Sequence, residues 1–181
     1  MGICNSNAVE HEKKAHVRKL KEMTLKDAQD PRYYFNEAKI LKVIDGDTVV
    51  IGVYHNNEFV KFNARIYGID CDEMHGGTEV ERKNAQLAKK FVEMMILGKV
   101  VNVEVLNNRI INNIKIKEKF GRLLLNIKTH DNKDVAEELC SAGLARQYFG
   151  GTKTNKEPLH PNISLSSMTD QKSDNDSAIE Y

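Results

Sequence analysis

Between residues 38 and 129 the sequence alternates between β-branched runs, turn residues and one long amphipathic segment, and this alternation restricts the possible folds most strongly. The runs KILKVI, DTVVIGVY and FVKFNARIYGI are separated by an Asp-Gly pair and by a His-Asn-Asn triplet. Short β-branched runs joined by such turn residues are typical of consecutive antiparallel strands. The beginning of this region therefore predicts a three-stranded meander.

A helix, two further strands and a second helix follow. Thr78 precedes EVERKNAQLAKKFVEMMIL, Glu81 completes a capping-box signal, and Gly98 ends the helix. KVVNVEVL and GRLLLNIKT read as strands, and Asp134 caps the short helix VAEELCSA, which stops at Gly143. The order β-β-β-α-β-β-α predicts an α+β, mainly β fold, a five-stranded OB-fold barrel with an inserted and a C-terminal helix.

Composition divides the chain into three parts. Residues 1–35 form a polar, basic leader whose apolar pattern is too sparse for a packed helix, and residues 36–154 form the barrel domain. Residues 155–181 are rich in Ser and Asp, which predicts a disordered tail. The three cysteines are odd in number and far apart, which argues against a disulfide framework.

Two acidic clusters follow predicted strands: DGD at 45–47 and DCDE at 70–73. Asp-Gly-Asp also suits an ordinary hairpin turn, whereas the glutamate of the second cluster has no turn-forming reason. Oxygen ligands gathered from separate strand ends suit a hard cation, Ca²⁺ or Mg²⁺. The clusters thus predict a metal site, while the histidines form no set with the spacing of a zinc site.

Two arginines accompany the acids. Arg65 lies in the third predicted strand and Arg122 opens the fifth. Each alone suits an ordinary surface arginine, but together with the acids they describe a metal-assisted phosphoryl site. Arg65 and Asp70 have opposite parity on a flat strand, so we expect the strand to bend or end near Gly68.

Residues 38 to about 154 resemble the staphylococcal nuclease (thermonuclease) family. The resemblance runs through VIDGDTVVI, ARIYGIDCDEM, EKFGRLL and AGLARQYFGGTKT, in the family's order. It implies an OB-fold barrel and Ca²⁺-dependent endonuclease activity on DNA or RNA, leaving 3′-phosphate ends, with no obligate protein partner evident. The alternative is a catalytically inactive OB-fold module that binds nucleic acid; relatives of that kind lose the acids and arginines that this sequence keeps.

The resemblance also implies a metal-binding role for the matching acids. Asp47 and Asp70 would hold Ca²⁺ through their carboxylates, and Cys71 would add its backbone carbonyl. Asp45 would be an acidic neighbour of the ion.

Catalytic and substrate-binding roles follow from the resemblance in the same way. Glu73 would position or deprotonate the attacking water, while Arg65 and Arg122 would bind the scissile phosphate. Tyr148 and Phe149 fall where family members place an aromatic near the nucleotide, and both equally suit a core position.

The sequence departs from the family at Asp72, where the family usually has proline. Proline would make the loop rigid, whereas Asp72 adds negative charge, and we assign Asp72 no role. If the family's loop geometry matters, we expect Asp72→Pro to preserve or improve activity. The connection 107–119 is long and basic; it suits a nucleic-acid contact, with Lys119 as a candidate, and equally an ordinary solvated loop.

The first residues, MGICNS, fit the N-myristoylation pattern, with acylation at Gly2 and a site for palmitoylation at Cys4. Residues 13–21 contain five basic residues and no acid. Since one acyl chain binds a membrane only marginally, a second chain or this basic stretch would complete the anchor. We expect an intracellular protein on the cytoplasmic face of a membrane, with a soluble cytoplasmic protein as the alternative.

Overall fold

A computed structural model of the chain describes residues 6–24, 35–107, 110–111, 114–115, 121–150 and 157–164. The chain divides into two compact units, Met1–Arg32 and Tyr33–Tyr181. None of the described helices combines the length and the apolar character needed to cross a membrane.

The first unit contains helix α1, Ser6–Glu22. Its described side chains, from residue 10 onward, are all exposed. Ion pairs one turn apart join Lys14 to Glu10 at 3.0 Å and Arg18 to Glu22 at 3.3 Å. The sparse apolar pattern predicted no packed helix here, and the helix that forms is an exposed one that such pairs support.

The second unit begins with strands β1 Glu37–Val43, β2 Thr48–His55, β3 Glu58–Ile66 and β4 Gly68–Asp70, followed by helix α2 Glu79–Ile96. It continues with β5 Val100–Val105, β6 Ile110–Ile111, β7 Ile114–Lys115, β8 Leu123–Lys128, helix α3 Val135–Ser141 and β9 Arg146–Tyr148.

Five of these strands close into a barrel in the order β1-β2-β3-β8-β5. The β3–β8 contact is parallel and the other four are antiparallel. The predicted five-stranded α+β barrel, with a helix between its third and fourth strands, is confirmed. Two short pairs, β4–β9 and β6–β7, were not predicted because strands of two or three residues leave no periodic pattern.

Helix α2 covers the barrel with the apolar face that the sequence predicted. Ala88 is buried, and Leu87, Phe91 and Met95 are partly buried against the core. The capping box is present, with the Thr78 hydroxyl accepting from the amide of Glu81 and the carboxylate of Glu81 accepting from the amide of Thr78. These local signals place the start of α2, and thereby the length of the loop that precedes it.

Residues 157–164 differ from the expectation of a disordered tail. Leu159 is buried, and the backbone amide of Asn162 donates to the carbonyl of Ala142 at 3.1 Å. Gly143, with φ +69°, lies so close to the carbonyl of His160 that a Cβ would overlap it. The polar composition of this segment gave no sign that Leu159 is buried or that the backbone makes these contacts. Residues 165–181 lie outside the described part of the chain.

Candidate active site

The Asp45-Gly46-Asp47 turn joins β1 to β2 and places Asp47 at the start of β2. Asp45 Oδ1 accepts a hydrogen bond from the amide of Asp47 at 3.1 Å. A Cβ on Gly46 would lie 2.7 Å from both Ala88 Cβ and Cys71 Sγ, so the turn lies directly against helix α2 and the second acidic segment. Packing therefore requires glycine at position 46, and the Asp45-Gly46-Asp47 segment does more than reverse the chain.

The break between β3 and β4 brings Arg65 and Asp70 to the same side. Strand β3 ends at Ile66, and β4 begins at Gly68, whose φ of +83° is in the left-handed region that favours glycine. The expected interruption at Gly68 is confirmed, and it removes the conflict in side-chain parity.

Two buried carboxylates converge on one guanidinium nitrogen. Arg65 Nη2 lies 2.8 Å from Asp47 Oδ2 and 3.3 Å from Asp70 Oδ1, and it also donates to the carbonyl of Ile69 at 3.2 Å. The exposed fractions of these side chains are 19% for Arg65, 9% for Asp47 and 6% for Asp70. The structure thus joins one predicted phosphate ligand to both predicted metal ligands.

Asp47 is buried between a cation and a second acid, and its pKa reflects the burial first. Burial raises the pKa of Asp47 from 3.8 to about 6; Arg65 lowers it, and the carboxylate of Asp45 raises it further. Burial likewise raises the pKa of the Cys71 thiol well above its ordinary value, with Asp47 as the next contributor. The thiol is therefore neutral at physiological pH, and Cys71 packs against Gly46 as an apolar residue.

Arg122 is connected to the same cluster through Thr48. Arg122 Nη1 donates to Thr48 Oγ1 at 3.3 Å, and that hydroxyl donates to Asp47 Oδ1 at 2.8 Å. Asn107 holds the start of β8, since its side chain donates to the carbonyl of Arg122 at 3.0 Å and accepts from the amide of Leu124 at 2.6 Å. Neither Thr48 nor Asn107 was predicted from the sequence, although the position of Thr48 beside the acidic turn was a signal.

Glu73 lies in the loop between β4 and α2, three residues after Asp70, and its side chain is exposed.

Phe149 is 64% exposed and contacts Tyr67 with ring centroids 5.7 Å apart, so it is a surface residue beside the strand break and not a core residue. Tyr148, opposite Gly68 in the β4–β9 pair, is half-buried. Lys119 lies outside the described residues, as do the predicted acylation sites Gly2 and Cys4.

Asp72, which has no role predicted from the sequence, is the buried centre of a set of polar contacts between distant segments. Arg146 Nη1 lies 2.8 Å from Asp72 Oδ1, and Asn84 Nδ2 donates to Asp72 Oδ2 at 3.2 Å. Arg146 Nε donates to the carbonyl of Glu157, and Asn84 also donates to the carbonyl of Leu159 at 3.4 Å. This Asp72–Arg146 clasp holds the Glu73 loop, α2, β9 and the segment 157–164 together.

The carboxylates of Asp47 and Asp70 are suitable ligands for a hard cation, and in this structure Arg65 lies between them. Among the described residues, no group of three His, Cys, Asp or Glu side chains has the arrangement of a metal site. Asp47 and Asp70 nevertheless offer buried carboxylate oxygens to one shared point, the type of donor that Ca²⁺ prefers. A cation near Asp47 would also lower the raised pKa of that carboxyl.

Comparison with known protein families agrees with this architecture. A search of the curated proteins finds no match for the chain. The family model described as staphylococcal nuclease homologue matches residues 63–167, more than half of the sequence. The matched range contains Arg65, Asp70, Glu73 and Arg122, whereas Asp47 lies before it, in the turn that precedes β2. With the closed five-stranded barrel, this match establishes that the chain belongs to the staphylococcal nuclease homologue family, which has a nuclease-like fold.

Proposed function

We propose that this protein is a Ca²⁺-dependent endonuclease that hydrolyses phosphodiester bonds of DNA or RNA and leaves 3′-phosphate ends. The observation that carries the proposal is the convergence of Asp47 and Asp70 on Arg65, with Arg122 joined to them through Thr48. Two buried acids and two arginines at one end of a barrel match the needs of a phosphoryl-transfer site.

The arginines would recognise the phosphate. Arg65 on β3 and Arg122 before β8 lie on neighbouring parallel strands, since Ala64 is paired with Leu123. Their guanidinium groups can each present two N–H donors to phosphate oxygens, and they carry a full positive charge at any physiological pH. They would therefore stabilise the additional negative charge that develops on the phosphoryl oxygens when water attacks.

The buried carboxylates would hold the cation. Asp47 and Asp70 would be its side-chain ligands, with the backbone carbonyl of Cys71 and the carboxylate of Asp45 nearby. When bound, Ca²⁺ would neutralise charge on a phosphate oxygen. Between substrates Arg65 pairs with the same two carboxylates and offsets part of their buried charge.

Glu73 would accept the proton of the attacking water. Its exposed carboxylate is three residues from Asp70, on a loop that the Asp72–Arg146 clasp holds in place. The water oxygen forms the new bond to phosphorus, the bond from phosphorus to the 5′ oxygen breaks, and the electron pair leaves with that oxygen. A proton from a solvent water protonates the leaving oxygen to give a 5′-hydroxyl, and the phosphate stays on the 3′ side.

The test is cleavage of plasmid DNA and of a single-stranded RNA in Ca²⁺ and in EDTA. We expect cleavage by the parent chain in Ca²⁺ alone, and a loss of about 100-fold or more for Glu73→Gln, the range of a general base. Glu104→Gln, which changes an exposed carboxylate on β5, is the matched control and should retain activity. Cleavage in EDTA, or full activity of Glu73→Gln, would contradict the mechanism.

We further propose that Gly2 is myristoylated, that Cys4 is palmitoylated, and that the chain is held at the cytoplasmic face of a membrane. Support comes from the MGICNS pattern and from helix α1, whose exposed last turn carries Lys19 and Lys21. Membrane fractionation of Gly2→Ala and Cys4→Ser variants tests this. Gly2→Ala should move the protein to the supernatant, and retention of Gly2→Ala with membranes would refute an acyl anchor.

A further inference from the structure

The outer face of strands β1, β2 and β3 carries two exposed aromatic rings. Phe59 is 91% exposed and Tyr54 is 62% exposed, and they stand opposite each other in the β2–β3 register with ring centroids 5.1 Å apart. Two large exposed rings in contact are an unusual feature for a surface that needs nothing more than solubility. They also lie at the far end of β3 from Arg65.

A row of polar side chains connects these rings to the candidate active site. Residues two apart on a strand share a face, so Phe59, Lys61, Asn63 and Arg65 lie on the outer side of β3 in sequence. Lys61 and Asn63 are exposed, and Arg65 is the member that contacts the buried acids. The outer face is therefore continuous with the proposed phosphate site along a single strand.

Strand β1, on the other side of β2 from β3, adds positive charge at positions level with the outer residues of β3. In the register, Lys39 of β1 stands opposite Gly52, which stands opposite Lys61 of β3. Lys42 stands opposite Val50, which stands opposite Asn63. Both β1 lysines are exposed.

The acids of these three strands lie at their ends. Glu37 is the first residue of β1 and Glu58 is the first of β3. Between these ends, the outer face of β1–β3 carries the three lysines Lys39, Lys42 and Lys61, and these strands add no acid there.

We propose that this face, here called the outer track and formed by Tyr54, Phe59, Lys61 and Asn63 with Lys39 and Lys42, binds single-stranded nucleic acid and leads it to Arg65. Exposed aromatic rings stack on unpaired bases whatever their sequence, and lysines beside them bind the phosphates. Paired bases of a duplex present no free ring face to such a platform. The identity of the ligand rests on the proposed nuclease function.

The dimensions of the outer track set the substrate that can use it. Six residues separate Phe59 from Arg65, which is about 20 Å at 3.3–3.4 Å per residue. This distance equals roughly six stacked nucleotides at 3.4 Å each. A dinucleotide bound at Arg65 is therefore too short to reach the rings, whereas a 12-nucleotide strand covers the whole track.

The experiment measures binding of a fluorescent 12-nucleotide single-stranded DNA to the full chain in EDTA, where the proposed cleavage does not occur. The Tyr54→Ala/Phe59→Ala double variant should raise Kd about tenfold or more, the low end of what two lost stacking contacts cause. Val80→Ala removes another exposed apolar side chain, at the start of α2, and should leave Kd unchanged. A 12-base-pair duplex should bind parent and double variant equally.

Salt dependence tests the lysines separately. Lys61→Gln should reduce the slope of log Kd against log salt by about 0.7, the value for one phosphate contact on a single strand. Lys128→Gln changes an exposed lysine on β8, on another wall of the barrel, and should not alter the slope. An unchanged Kd in the double variant, or an equal loss on single strand and duplex, would overturn the outer track.

Cleavage in Ca²⁺ separates this inference from the proposed function. The double variant should raise KM for the 12-nucleotide substrate and leave kcat/KM for a dinucleotide unchanged. If the parent binds the 12-nucleotide strand in the expected way and cleaves nothing, the nuclease proposal fails and the outer track stands as a binding surface. If both substrates are cleaved and the double variant matches the parent on both, the outer track fails alone.

Discussion

Replacement of Arg146 by methionine tests the Asp72–Arg146 clasp most directly. The substitution keeps a long unbranched side chain and removes the charge that lies 2.8 Å from Asp72 Oδ1. The Asp72 side chain is 2% exposed, so water cannot replace the lost guanidinium. Asn84 would remain as a neutral donor to the other carboxylate oxygen.

The expected loss follows from this burial. Removing one partner of a buried ion pair costs about 3–5 kcal/mol of unfolding free energy, because the other charge is left uncompensated. The 17% exposure of the Arg146 side chain and the retained bond from Asn84 place this variant near the lower end, at about 3 kcal/mol. Such a loss lowers Tm by roughly 10 °C for a domain of this size.

Urea denaturation of the full chain at pH 7 measures the change, with Lys133→Met as the matched control. Lys133 pairs with Asp131 at 3.1 Å, but both side chains are about 60% exposed, so we expect no measurable change in the control. In the double variant Asp72→Asn/Arg146→Met no charge remains buried at the clasp, and part of the lost stability should return. A loss below about 1 kcal/mol for Arg146→Met, or no recovery in the double variant, would refute the reasoning.

The remaining predictions concern the acidic turn, the buried carboxylate and the C-terminal segment. Gly46→Ala should destabilise the fold by about 1–3 kcal/mol in thermal unfolding, because its Cβ would lie 2.7 Å from Cys71 Sγ; an unchanged Tm contradicts this. In EDTA, the pKa of Asp47 is about 6 in the folded state, compared with its ordinary value of 3.8. Between these pH values the folded state binds more protons than the unfolded state. The free energy of unfolding should therefore fall by up to about 3 kcal/mol as pH rises from about 4 to 6. Asp47→Asn should remove that fall in urea titrations at pH 4 and pH 7, and an identical pH dependence would oppose the assignment. Leu159→Ala should cost about 2–3 kcal/mol, since the side chain is 8% exposed, whereas a disordered segment would show no change. Asp72→Pro should destabilise as well, against the expectation drawn from the family's proline, because it removes the carboxylate that holds Arg146.

The sequence by itself determined the elements whose signals are local. The capping box of Thr78 and Glu81, the Asp134 cap of α3 and the alternating strands act within a few residues, and all are present where predicted. The interruption at Gly68 was also readable, since opposite parity between Arg65 and Asp70 required it. Four motifs in one order pointed to the candidate site residues, whose metal-binding and catalytic roles stay predictions.

Only the tertiary structure decided how distant segments meet. Closure of the barrel placed both Asp47 and Asp70 on one nitrogen of Arg65, a sharing that no spacing in the sequence shows. Asp72 finds Arg146 at a separation of 74 residues, and Leu159 reaches the core through contacts with elements far earlier in the chain. Periodicity and capping report interactions within a turn or a strand, whereas a buried ion pair depends on which surfaces the folded barrel brings together.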